Sequence, residues 1–137
     1  MKNKIYILGI ESSCDETSVA IVTRDKNNQP QILSNIIKSQ IEVHKFFGGV
    51  VPELAARAHS DVIDVLVMQA VKKAKIKLSD VSAVAATTGP GLLGGLLVGV
   101  VAAKTLSSVL KIPFMAVNHL EGHALSAQLE QDISFPY

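Results

Sequence analysis

Hydrophobic positions along the chain change period from short, strand-like runs to wider helical spacing. Ile5 to Ile10 is an apolar run rich in β-formers, followed by the polar turn Glu11-Ser12-Ser13-Cys14-Asp15-Glu16. Thr17 to Thr23 alternates as a second strand, and Arg24 to Pro30 is a turn built on Asp25, Asn27, Asn28 and Pro30. Ile32 to Ile37 gives a third strand, so the chain opens with an antiparallel meander. Residues 39 to 49 read as a loop holding His44 and the Gly48-Gly49 pair. A helix is expected from Pro52, suited to a first turn, to about Lys75. Glu53 suits its positive end, and Lys72, Lys73 and Lys75 its negative end. It carries two apolar stripes: Leu54, Ala58, Val62, Val65 and Leu66, then Ile63, Val67, Ala70 and Ala74. That pattern fits burial on two sides, and equally one broad core face.

A strand over Val81 to Thr88, a Gly89-Pro90-Gly91 turn, a helix over Leu92 to Leu110 and a strand over Phe114 to Val117 follow. The last helix is expected from the N-cap Asn118 to about Leu129. Gly91, Gly95, Gly99 and Ala103 fall at four-residue steps and leave a ridge without bulky side chains along one helix face. Each helical glycine costs about 1 kcal/mol against alanine, so close packing must offset it. The ridge can receive this domain's own sheet or a helix of a second subunit. Val81 to Ala103 carries no charge, but the Gly-Pro-Gly turn divides it. Neither part reaches the ~20 residues of a spanning helix, so no membrane association is expected.

A β-β-β-α-β-α-β-α order describes an α/β domain with a mixed sheet. It matches one lobe of the ribonuclease H-like or actin-like ATPase architecture. In that architecture the polar turn between the first two strands faces nucleotide phosphates, and two lobes form the site.

Composition narrows this little. The 137 residues suit one domain, and 48% hydrophobic residues supply a core. A net charge of +1 does not mark a strong standalone nucleic-acid binder. Cys14 is the only cysteine, which excludes an internal disulfide framework and fits a reducing interior.

The candidate chemistry lies in Asn118-His119-Leu120-Glu121-Gly122-His123. On a helix His119 and His123 leave the same face, just past a strand end, and neutral imidazoles are common zinc and iron ligands. The spacing equally fits two solvated side chains. It is not the His-Glu-x-x-His of zinc proteases, because Leu120 follows the first histidine and Glu121 is displaced to another face. A catalytic zinc also needs a third protein ligand from elsewhere. The Gly89–Gly95 region lacks the Gly-Lys-Ser/Thr ending of a phosphate loop.

Four segments together carry a resemblance. They are Gly9-Ile10-Glu11-Ser12-Ser13-Cys14-Asp15-Glu16-Thr17, Gly48-Gly49-Val50-Val51-Pro52-Glu53-Leu54-Ala55 with Arg57 and His59, Thr88-Gly89-Pro90-Gly91-Leu92, and the histidine segment. Their sequences and order resemble the tRNA adenosine threonylcarbamoyltransferases, whose bacterial member was formerly called O-sialoglycoprotein endopeptidase or glycoprotease. The resemblance implies transfer of a threonylcarbamoyl group from its adenylate to the exocyclic amine of an adenosine beside the tRNA anticodon. It implies one divalent ion, iron or zinc, held by His119 and His123. Glu11, Ser13 and Asp15 would lie on the cleft-facing turn and contact substrate or phosphate, or serve only the turn's structure; no residue is assigned the catalytic step itself.

Family members are considerably longer. Residues 1–137 are therefore expected to be a single N-terminal lobe, inactive alone and a weak metal binder at best. The missing lobe would supply a third, aspartate ligand and the site for threonylcarbamoyl-adenylate or ATP. The implied partners are tRNA and a paralogous scaffold subunit bound through helices 52–75 and 92–110, with a homodimer possible without that subunit. The implied location is the cytoplasm. Alternatives of other classes are a non-catalytic scaffold lobe, a metalloendopeptidase, and a sugar-kinase-like or chaperone-like ATPase. The histidine pair favours the catalytic branch.

Overall fold

A computed structural model of the chain describes residues 4–129, 131, 133 and 134. Five strands form one mixed sheet in the order β3-β2-β1-β4-β5. They are β1 (Tyr6–Glu11), β2 (Glu16–Arg24), β3 (Pro30–Ser39), β4 (Ala83–Gly89) and β5 (Phe114–Asn118). β1, β2 and β3 are the expected antiparallel meander, and β4 and β5 add in parallel on the other side of β1. The β2–β3 turn is closed by Asp25, whose Oδ1 accepts from the amides of Asn27 at 2.8 Å and Gln29 at 2.9 Å. Pro30 falls inside β3 rather than in the turn, which an edge strand tolerates at its first residue.

The stretch expected as a loop contains a helical turn, α1 (Ile41–His44), and a 3-10 turn (Lys45–Phe47) ending at Gly48, φ 69°. Two of its side chains, Gln40 and His44, are buried, so tertiary hydrogen bonds rather than periodicity give this segment its shape.

Two long helices cover one face of the sheet. α2 (Pro52–Lys73) starts on its proline and ends two residues earlier than expected, with Ala74 as C-cap and Lys75 at φ 57°. Ile63, Leu66, Val67, Ala70 and Val71 form its buried face, whereas Val65 and Met68 are exposed. α3 (Leu93–Leu110) lies beside α2 over β1 and β4. Beneath them sit Leu8, Ile10, Val19, Ile21, Val84 and Ala86, the strand side of the core. Each large aliphatic chain buried this way contributes about 1.5–3 kcal/mol.

α3 is 18 residues long with a mean hydropathy of 1.8, and only 22% of it is buried, so by length and composition alone it could cross a membrane. Its glycine ridge nevertheless receives this chain's own backbone and side chains (below), and Leu93, Leu97, Val101 and Val109 remain exposed on its other side. The last helix, α4 (His119–Ser126), continues as a 3-10 turn (Ala127–Leu129) that reaches β3.

Candidate metal centre

The parallel strands β1, β4 and β5 all end at the same edge of the sheet. The register that pairs Ile10 with Ala86 brings Glu11 beside Thr87, on the face opposite the core. β5 ends at Asn118, whose Oδ1 accepts from the amides of Leu120 at 2.9 Å and Glu121 at 3.2 Å. This cap starts α4 at the strand end, so His119 follows immediately and His123 lies one turn later.

Both imidazoles leave the same face of α4, as their spacing predicts. Their Nε2 atoms lie 3.1 Å apart, with ring centroids 4.6 Å apart and ring planes at 84°. Two nitrogens bound to one ion at about 2.0–2.1 Å stand roughly 2.9–3.4 Å apart for angles between square and tetrahedral. The pair therefore fits two positions of one coordination shell. No cluster of three or more metal-ligating side chains occurs among the described residues. The remaining ligands of such a shell would have to come from elsewhere.

The inner nitrogen of His119 faces the first turn. Its Nδ1 is 3.2 Å from Ser13 Oγ and 3.3 Å from Glu11 Oε2. Glu11 is held at both oxygens: Oε1 accepts from the Ser13 amide at 2.6 Å, and Oε2 accepts from the Thr87 hydroxyl. Burial pushes the Glu11 carboxyl up, but the hydrogen bonds from Ser13, Thr87 and His119 outweigh it and leave the group below the usual carboxylate value. Glu11 and Ser13 thus join the histidine site. Asp15 lies on the same turn, but its carboxylate neighbours Cys14 instead; loss of solvation first, then Asp15, pushes that thiol up and disfavours a thiolate.

The turn is fixed from behind. Ser12 Oγ donates to Gly95 O at 2.8 Å, and the Leu92 amide donates to Ser13 O at 2.7 Å. His59 Nε2 donates to Cys14 O at 3.0 Å, and the Gln40 amide donates to Asp15 O at 3.0 Å. Gly91, which lies just before α3 rather than in it, and the glycines Gly95 and Gly99 of α3 make this approach possible. A Cβ on Gly91 would stand 2.8 Å from Ser13 O, and one on Gly95 would stand 2.5 Å from Ser12 O. The ridge therefore packs against this domain's own first turn and His59, not against a second subunit.

His59 is fully buried, and its donor and acceptor roles follow from its partners. A carbonyl only accepts, so Nε2 carries the hydrogen and Nδ1 accepts from Thr17 Oγ1 at 2.6 Å and Gln40 Nε2 at 3.2 Å. Gln40 Oε1 accepts from His44 Nε2 at 2.9 Å, and His44 Nδ1 accepts from the Val51 amide at 3.2 Å. Burial holds His59 below its ordinary value. Sequence reasoning missed Thr87, Gln40 and this use of His44. Thr87 had one legible signal, a polar residue near the end of a strand that the parallel register sets beside Glu11.

A family profile described as "TsaD: tRNA N6-adenosine threonylcarbamoyltransferase" matches residues 31–137. The chain belongs to the tRNA N6-adenosine threonylcarbamoyltransferase family. It is 59% identical over 131 residues to the tRNA N6-adenosine threonylcarbamoyltransferase of Brucella anthropi, covering 96% of this chain and 36% of that protein. It is 53% identical over 137 residues to the Pelagibacter ubique protein of the same name, covering all of this chain and 38% of that one. The chain thus spans little more than a third of the length of these threonylcarbamoyltransferase relatives. Among solved structures, YeaZ from Pseudomonas aeruginosa superposes with a TM-score of 0.64 at 22% identity, covering 90% of this chain and 50% of that one. Thermus thermophilus RuvC superposes with a TM-score of 0.57 at 12% identity, covering 97% of this chain and 85% of that one. These likenesses establish the ribonuclease H-like, actin-like ATPase fold expected from the element order.

Proposed function

We propose that this lobe carries half of a threonylcarbamoyl-transfer site. The whole protein would move the threonylcarbamoyl group from threonylcarbamoyl-adenylate to the exocyclic amine of an adenosine next to the tRNA anticodon, in the cytoplasm. His119 and His123 would supply two ligands to one divalent ion, iron or zinc, and a second lobe the third. When bound, the ion supplies Lewis-acid polarisation and a template for the transferred group. The observation that carries this reading is the 3.1 Å separation of the two Nε2 atoms at the strand ends. Of the first-turn residues, Ser13 offers a hydroxyl suited to phosphate, whereas Glu11 and Asp15 are anions that suit hydroxyl or amine groups of the substrate. The bound nucleotide, threonylcarbamoyl-adenylate or ATP, would lie between the lobes. A paralogous scaffold subunit would pair through helices 52–75 and 92–110, whose outer sides expose Val65, Met68, Leu97 and Val101.

Two ligands make a weak site, so the test is a titration of the 137-residue chain with zinc or cobalt(II), followed through the histidine ring signals by NMR. The signals of His119 and His123 should move together, those of His44 and His59 should stay, and His119→Ala should abolish the shift of His123. Independent or absent shifts of the two rings would overturn the shared ion.

A further inference from the structure

We infer that Glu11 is a positioning residue that keeps the hydrogen of His119 on Nδ1 and so leaves Nε2 bare toward His123. This deepens the metal-site reading and rests on it only for the use to which the bare nitrogen is put. The inference begins with a donor count. The Ser13 amide and the Thr87 hydroxyl both donate to Glu11, one to each oxygen. With a donor already directed at each oxygen, Glu11 meets its neighbours as an acceptor at both, which is the arrangement of a carboxylate. An ionised carboxylate accepts and never donates. Where His119 Nδ1 stands 3.3 Å from Glu11 Oε2, the hydrogen between them belongs to the imidazole. Ser13 Oγ, 3.2 Å from the same nitrogen, can share it as a second acceptor.

The consequence is an asymmetric pair. A neutral histidine side chain in water favours the hydrogen on Nε2, so His119 is held in the less favoured tautomer by the groups behind it. His123 is exposed, and its Nε2 lies 3.1 Å from the bare Nε2 of His119. One hydrogen must lie between two such nitrogens for them to bond, and it sits on His123. His119 is thus ready to ligate, while His123 must first shift its hydrogen to its own Nδ1, which is hydrogen-bonded to no carboxylate among the described residues. Carboxylates behind metal-binding histidines act in this way, and their removal typically weakens metal binding by 10–100-fold. Thr87 extends the arrangement by one residue: it is buried and fixes the oxygen that His119 faces.

The test needs no metal. The chain is labelled with 15N at histidine, and its long-range proton–nitrogen spectra are recorded at about pH 8.5, where free imidazole is neutral. Wild type should show the Nδ1–H pattern for His119 and the Nε2–H pattern for His59. Glu11→Ala should convert His119 mainly to Nε2–H while His59 keeps its pattern. An Nε2–H pattern for His119 in wild type, or no change on Glu11→Ala in a folded chain, would overturn the inference. Should Glu11→Ala fail to fold, the wild-type pattern alone still decides. Cobalt(II) titration separates this from the parent reading. Coupled shifts of both rings in a wild type with Nε2–H at His119 keep the shared ion and sink the role of Glu11. An Nδ1–H pattern without any cobalt response does the reverse.

Discussion

Glu11 and His119, 108 residues apart in sequence, meet with Oε2 and Nδ1 3.3 Å apart. Glu11 ends β1, and His119 follows the last residue of β5. β4 lies between these strands, so the contact exists only because three parallel strands end together and the Asn118 cap starts α4 at that edge. It joins the first turn and the histidine segment into one site.

The Asn118 cap holds both histidines in place. Asn118→Ala should remove two of the bonds that satisfy the first turn of α4, a loss of about 1 kcal/mol locally. Amide hydrogen exchange should accelerate at Leu120 and Glu121, with little change in β1 or β4. Divalent-metal affinity should fall with it, since fraying lets the two rings separate. Unchanged exchange at Leu120 and Glu121 would show that the cap does not hold the helix.

The glycine ridge admits a sharp comparison between neighbours. Gly95→Ala places a Cβ 2.5 Å from the Ser12 carbonyl and 3.1 Å from the His59 ring. Overpacking against backbone should destabilise the chain by roughly 2–3 kcal/mol, outweighing the ~1 kcal/mol gained in helix propensity. Gly94→Ala meets only the Ala56 methyl, at 3.1 Å, and should stay within about 1 kcal/mol of wild type. Urea unfolding of both variants measures the difference, and equal midpoints would contradict the packing described.

His59 makes stability fall in mild acid. Its pKa lies below the ordinary 6.5; burial is the main cause and the His44 charge adds to it, whereas the Cys14 carbonyl, Glu11 and Asp15 act the other way. Below pH 6.5 the unfolded chain takes up a proton that folded His59 refuses. The unfolded state then binds more protons, so stability declines as pH falls from 6.5 toward the lower folded value, and is fully present above 6.5. His59→Gln should flatten that part of the profile while lowering stability at neutral pH by about 2–3 kcal/mol, through unpaired Cys14 and Thr17 groups. Urea midpoints between about pH 5 and 7.5 test it.

The outer side of α3 should be dispensable for folding and needed for pairing. Leu97 is 52% exposed and Val101 59%. Leu97→Lys and Val101→Lys should each change stability by no more than about 0.5 kcal/mol. On the proposed pairing, both should abolish the heterodimer with the paralogous scaffold subunit, read by light scattering. A heterodimer that survives both changes would place the contact elsewhere.

The sequence by itself determined the strands, the long helices and their order. Alternation in the first strands, Pro52 at a helix start, the Asn118 cap and the spacing of His119 and His123 are local signals, and local hydrogen bonding and side-chain period enforce them. It also determined that α3 needs a close neighbour, because glycines at four-residue steps weaken a helix unless packing compensates. Only the tertiary structure decided which neighbour: the backbone of Ser12 and Ser13, with His59 behind it. It likewise turned residues 40–47 from loop into helical turns, because Gln40 and His44 are buried in hydrogen bonds whose partners lie on α2 and just before its first residue. Strand order and register determined that Glu11, Thr87 and His119 meet. Pairing between strands is a long-range choice driven by burial of the whole sheet face, and no period in the chain records it.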